Sequence, residues 1–311
     1  LSSLRGTSFT KGPCDGSIDP TKIVLSGDSS MQKQKKRAIL CPNCNSLISK
    51  NESRCPYCGI TRPGSWWKNN IWTRAFRGTD QLLKAIIYTN IGMYVLSLLL
   101  YPRGSSLSIN PFTLLSPDSR SLLVLGAAGT YPIAHFGRWW TLVSANYLHG
   151  GVLHILFNMF ALRYVGLLVI EEYGTYRMFI IYTLGGVFGF LVSYLFGVPL
   201  TIGASAAVCG LIGAVLYYGK SRGGAYGQII FRQIGGWAIG IFIFGFVVPG
   251  IDNWGHGGGM LGGVILGFLL GYQERKKETL FHKLLGGVCV IVTVGVLLWA
   301  IVSGVYLRIV G

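Results

Sequence analysis

Ser205 sits in the stretch Thr201-Ile-Gly-Ala-Ser-Ala-Ala-Val-Cys-Gly-Leu-Ile-Gly-Ala214, one hydroxyl among side chains that do little except let other helices come close. A serine acts as a nucleophile when a base lies within about 2.6–3.2 Å to take its proton and when donors stabilise the charge it creates. Candidates stand in two other stretches, His149, His154 and Asn158 in one and Asp252-Asn-Trp-Gly-His256 in the other. His154 and Asn158 are i and i+4, on one helical face, whereas His149, five residues before His154, points elsewhere. Two blander readings use the same residues. A lone serine in an apolar helix can simply bond its own helix's carbonyls. A three-histidine metal site from His149, His154 and His256 is a second possibility, but no carboxylate accompanies them in the apolar segments and no His-Glu-x-x-His occurs. An α/β-hydrolase elbow fails because Ala207 occupies its last glycine position. His135, in a loop, and His282, in a basic linker, read as surface residues.

A second constellation is Cys41-Pro-Asn-Cys44 and Cys55-Pro-Tyr-Cys58-Gly59, separated by ten residues. Two Cys-Pro-x-Cys turns can close four thiolates into a tetrahedron, the chemistry of a structural zinc site, with iron or redox thiols as the alternatives. The unit resembles a small zinc ribbon of the rubredoxin-like kind. A saturated four-thiolate site leaves no open position for catalysis, so its expected job is to fold a docking module for a cytoplasmic protein partner. The tight cysteine cluster, with Cys209 and Cys289 inside apolar runs, argues against a secreted disulfide framework.

The elements that must position these residues belong to a membrane. Of 311 residues 51% are hydrophobic, 12% are charged and 45 are glycine, which does not describe a soluble protein. The net charge of +16 raises nucleic acid as a partner, yet no basic face with interleaved aromatics supports it. Excess Lys and Arg on cytoplasmic segments accounts for the charge instead: 13 of the 27 lie in residues 1–83.

Residues 1–40 are polar and without hydrophobic period, so a disordered tail is expected, with the native start at Met31. The ribbon takes 41–60 and a linker 61–81, whose Trp66 and Trp67 suit a membrane interface. Seven apolar runs of spanning length follow, at about 82–101, 146–168, 176–197, 203–219, 227–248, 255–272 and 284–308. The segment 102–145, with four prolines and Trp139-Trp140, is expected to lie partly in the interface. Lys220 and Arg222 follow span four and Arg275, Lys276 and Lys277 follow span six, while the loops 198–202 and 249–254 hold no Lys or Arg. The positive-inside rule then puts the N-terminus and ribbon in the cytoplasm.

Spans two, four and six would run inward together, bringing His154, Asn158, Ser205 and His256 to one depth near the outer surface. Ionisable groups in a bilayer are costly and face the bundle interior or water. Span six has glycine at 255, 259, 263, 267 and 271, and span four repeats Ser205, Cys209 and Gly213. Such stripes let backbones approach closely enough for a short serine side chain to reach a histidine.

Gly203-Ala204-Ser205, His149-Gly-Gly-Val-Leu-His154-Ile-Leu-Phe-Asn158 and Asp252-Asn-Trp-Gly-His256-Gly-Gly-Gly-Met-Leu-Gly262, in this order, resemble the rhomboid intramembrane serine proteases. The resemblance covers about 82–272. It implies an all-α polytopic membrane protein with a six-helix core at 82–272, one helix added after it at 273–311, and the zinc ribbon as an N-terminal appendage. It further implies a Ser205–His256 dyad without a carboxylate partner. The oxyanion would be held by the Ser205 backbone N–H and the side chains of Asn158 and His154. Substrates would be transmembrane helices of other proteins in the lipid bilayer, admitted past span five (Trp237, Phe242, Phe244, Phe246). The expected setting is a bacterial cytoplasmic membrane. Three positions depart from the family pattern: Thr141 after Trp140 where Arg is frequent, Ala206 where Gly commonly follows the serine, and Cys209 where an aromatic often packs on the histidine. These leave open a catalytically inactive rhomboid-like protein that binds membrane clients, and a ribbon scaffold for which the core is only an anchor.

Overall fold

The computed structural model describes residues 38–41, 46–57, 59–65, 80–102 and 114–310. The chain divides into two compact units, Leu1–Lys68 and Asn69–Gly311. The expected tail through residue 37, Cys44, Cys58 and the interfacial Trp66 and Trp67 lie outside the described residues.

In the first unit β1 (Ala38–Leu40) pairs antiparallel with β2 (Leu47–Ser49), Ile39 opposite Ile48. Ala38–Leu40, assigned from sequence to the tail, thus form a strand. Cys41 and Cys55 are both buried beside Ile48. Ser46 O accepts from Cys41 N at 2.8 Å, and Cys55 O accepts from Gly59 N at 2.9 Å.

The second unit is helical: α1 (Gln81–Leu100), α2 (Ser119–Val124), α3 (Thr130–Phe136), α4 (Thr141–Ser144), α5 (Val152–Tyr173), α6 (Thr175–Leu195), α7 (Ser205–Arg222), α8 (Gly224–Val247), α9 (Asn253–Leu270) and α10 (Leu280–Val310). The seven long helices fall on the seven expected runs. Five of them, α1, α5, α6, α8 and α10, are long and apolar enough to cross a membrane by length and composition. The helices α7 and α9 are not in that set, because glycine in both, Lys220 and Arg222 at the end of α7, and Asn253 and His256 at the start of α9 lower their hydropathy. They are the inner pair, packed on each other and on α6.

α5 starts at Val152 rather than near 146, since residues 145–147 form a separate 3-10 turn and Gly150-Gly151 breaks the path. The segment expected in the interface is tied to residues 198–203. Ala128 and Thr201 exchange backbone hydrogen bonds at 3.0 and 2.8 Å, Thr130 N donates to Val198 O, and Gly203 N donates to Ala145 O at 2.9 Å. These bonds fix the extended strand that delivers Ser205 to the start of α7. The strand makes its last bend at Gly203, whose φ of 128° is open to glycine and strained for other residues.

At the other end of the bundle the basic loops meet. Arg222 pairs with Glu274 at 2.8 Å and Arg275 donates to Ser221 O at 3.2 Å. Arg177 is fully buried and donates to Tyr173 O, Lys276 O and Lys277 O. Glu278 accepts from Tyr176 N and Arg177 N at the start of α6. The linker before α10 is therefore fastened rather than loose. His282, read from sequence as a surface residue, is buried in the first turn of α10 and accepts from Thr279 N at 3.0 Å. At about 1.5 Å per residue the 31 residues of α10 span about 46 Å. Near its far end Arg308 donates to Leu100 O.

Candidate active site

Glycine lets α7 and α9 touch backbone to backbone. A Cβ at Gly259 would collide with the Ala206 carbonyl, one at Gly263 with the Gly210 carbonyl, and one at Gly267 would stand 3.2 Å from Ala214 Cα. On the facing side, a Cβ at Gly213 would collide with the Met260 carbonyl. Gly271, the last member of the expected stripe, instead ends α9 with a φ of 68°. The neighbours of Ser205 and His256 also converge on α6, where a Cβ at Gly189 would lie 2.6 Å from Gly255 O and 3.0 Å from Ala206 Cβ.

Within this frame Ser205 opens α7, half-buried, and His256 occupies the first turn of α9, 7% exposed. His256 Nδ1 has no hydrogen-bond partner. His154 is in the first turn of α5, and its ring reaches the bend before the serine: a Cβ at Gly203 would stand 2.7 Å from His154 Nε2 and 3.5 Å from Ser205 Oγ. His154 Nδ1 accepts from Gly150 N–H at 3.2 Å. A nitrogen that accepts carries no proton in the neutral ring, so this bond assigns the proton to Nε2, the atom turned toward Ser205. Asn158, one turn further along α5, is buried and donates one amide hydrogen to His154 O at 2.8 Å, which leaves its second amide hydrogen for another acceptor.

The sequence reading had His149 pointing away from His154. It precedes α5 instead of belonging to it, so helical spacing does not apply. The two rings meet edge to face with centroids 5.1 Å apart, and His149 is fully buried with neither ring nitrogen partnered. Among the described residues no group of three or more His, Cys, Asp and Glu is arranged to hold a metal ion. Ala206 directs its methyl into packing against Gly189 of α6 and is 1% exposed. Cys209 is buried in the same helix, and Thr141 donates to Arg138 O at 2.6 Å. His135 is exposed beside the Tyr131 ring.

The sequence reading also passed over Asp252. It caps α9 through Oδ1, which accepts from Gly255 N at 2.9 Å, while Oδ2 accepts from Ser193 Oγ on α6 at 2.5 Å. The cap was legible as an Asp just before a helical run. A lone serine inside the apolar run of α6 carried no signal.

α8 covers the site lightly. Its buried residues are Gly227, Ile230, Ile234 and Ala238, and none of the last nine residues of the helix is buried. Trp237 stacks on Tyr164 of α5 at 4.8 Å and Phe242 approaches Gly257 of α9 at 3.8 Å from its Cβ position, while Phe244 and Phe246 are exposed.

Residues 136–273 match the family model described as Rhomboid domain. The chain is 37% identical over 163 residues to "Rhomboid protease GluP" of Bacillus subtilis (strain 168), covering 51% of this chain and 31% of that protein. It is 30% identical over 225 residues to "RHOMBOID-like protein 1" of Arabidopsis thaliana, covering 63% and 56%. With "RHOMBOID-like protein 7" of the same plant it shares 34% over 170 residues, 53% of each. The chain thus spans between about a third and just over half the length of these relatives. Together with the five apolar helices these likenesses support an integral membrane protein, and they support membership of residues 136–273 in the rhomboid family.

Proposed function

We propose that this chain is an intramembrane serine endopeptidase working by a Ser205–His256 dyad. Ser205 Oγ attacks a peptide carbonyl as His256 takes its proton, and His256 then returns that proton to the leaving amine. Water repeats the sequence on the acyl-enzyme. The observation that carries the reading is the convergence at Gly203, where His154 Nε2 and Ser205 Oγ face one small space. The Nε2–H of His154, the free amide hydrogen of Asn158 and the Ser205 N–H are the three donors for the oxyanion. The Ser205 N–H suits this role because it opens a helix, where the first amides lack intrahelical acceptors. The glycine contacts between α7 and α9 support the dyad by bringing its two helices within reach.

Substrates are transmembrane helices with small or helix-weakening residues near the outer boundary. They enter past α8, whose last nine residues include none that is buried. The N-terminus faces the cytoplasm, where the ribbon offers a docking surface to a protein partner. Cys41, Cys44, Cys55 and Cys58 hold one zinc ion there. The burial of Cys41 and Cys55 fits such a site, in which the metal supplies folding energy and no chemistry. Cleavage of a transmembrane substrate by purified protein tests the central reading: loss of cleavage in Ser205→Ala and in His256→Ala is expected, and cleavage that persists in Ser205→Ala overturns it.

A further inference from the structure

His256 has no partner at Nδ1, so no second side chain aims its ring from that nitrogen. Its placement then depends on where the first turn of α9 is held, and that turn is anchored at one polar point. The Asp252 carboxylate spans from Gly255 N, inside α9, to Ser193 Oγ, on α6, and the Asp252 carbonyl accepts from His256 N at 3.1 Å. Ser193 is fully buried, and its oxygen and the carboxylate fill the space a Cβ at Gly255 would need, at 2.9 and 2.7 Å. Ser193 Oγ also lies 3.1 Å from Gly189 O, but the hydroxyl has one proton and the 2.5 Å contact with an anionic oxygen is the stronger claim on it. The α6 turn from Gly189 to Ser193 therefore meets the α9 start twice, by backbone contact at Gly189 and by a charge-assisted bond at Ser193.

We infer that Ser193 is a positioning residue for the general base, acting through Asp252 to lock the first turn of α9 to α6 and so set the reach of His256 toward Ser205. This rests on the proposed dyad. The two side-chain hydrogen bonds of Asp252 go to Gly255 N and Ser193 Oγ, so the bond to Ser193 acts through the position of the α9 start.

The test is a double-mutant cycle on the full-length protein in detergent or lipid nanodiscs with a transmembrane substrate, using Ser193→Ala, Asp252→Ala and the pair. Ser193→Ala is expected to lower kcat about tenfold with KM within twofold, and to slow fluorophosphonate labelling in step. The double variant is expected to fall no further than Asp252→Ala alone, because the two residues act through one bond. Thermal unfolding of each variant checks that the folded protein is being assayed. A wild-type kcat in Ser193→Ala, a change confined to KM, or multiplicative losses in the double variant each overturn the inference. Cleavage retained in Ser205→Ala would overturn the dyad instead, and the positioning role with it.

Discussion

Helices α9 and α8 both pack against α7, and they do so in opposite ways. α9 meets it at Gly259 and Gly263, at distances that exclude even a methyl group, and at Gly267, whose Cβ position is 3.2 Å from Ala214 Cα. α8 meets it at contacts such as that between Gly219 and Gly227, and buries nothing beyond Ala238. The more apolar helix is the less committed one. Hydropathy drives α8 into the membrane without fixing its neighbours, since lipid tails are as apolar as leucine, whereas small-residue contact fixes α9 to α7 at low hydropathy. The difference divides the bundle into a closely packed half, which on the proposed function would carry the chemistry, and a lightly packed half that would admit a helix.

The largest effect that sharpens this division falls on the closely packed side. His154→Ala removes the Nε2–H donor and should cost about 2.7–4 kcal/mol of transition-state stabilisation, seen as a fall in kcat of about 10²–10³ with little change in KM. A loss confined to KM would move His154 from the oxyanion to substrate binding.

Next is packing. Gly263→Ala forces a methyl into the Gly210 carbonyl and should destabilise by about 1–3 kcal/mol, read as a lower unfolding temperature in detergent. Gly240→Ala, on α8 with nothing within 4 Å, should leave stability unchanged or raise it by up to about 1 kcal/mol. Equal effects at the two positions would break the comparison.

The smallest effect is at the lightly packed side. Trp237→Ala deletes the stack on Tyr164, worth about 0.5–1.5 kcal/mol, and should speed cleavage of a transmembrane substrate by a few-fold. Labelling by a small soluble serine probe, which needs no gate, should stay at the wild-type rate. If both rates rise together, α8 shapes the site itself.

Much of this was legible in the sequence because run length and small-residue spacing are local signals. The seven apolar runs located the long helices, and the four-residue glycine repeat from 255 to 267 located the face of α9 that meets α7. Hydropathy did not register that Gly150-Gly151 stops a helix, so α5 was begun six residues early and His149 was assigned a face on a helix it does not join. The pairing of Ala128 with Thr201, which holds the strand before Ser205, joins residues far apart in the chain and leaves no mark in either stretch. The same holds for Ser193 and Asp252, where one member of the pair is a single hydroxyl in an apolar helix. The hairpin of β1 and β2 beside Cys41 and Cys55 left no hydrophobic pattern to read, and only the cysteine spacing marked this stretch in the sequence.

The central claim is that Ser205 is a nucleophile made reactive by His256. Its most direct measurement is peptide mass spectrometry of the protein after exposure to a fluorophosphonate. The account predicts one adduct on the peptide containing Ser205, absent in both Ser205→Ala and His256→Ala, whereas an adduct on another serine, or one on Ser205 that forms at the same rate without His256, would contradict it.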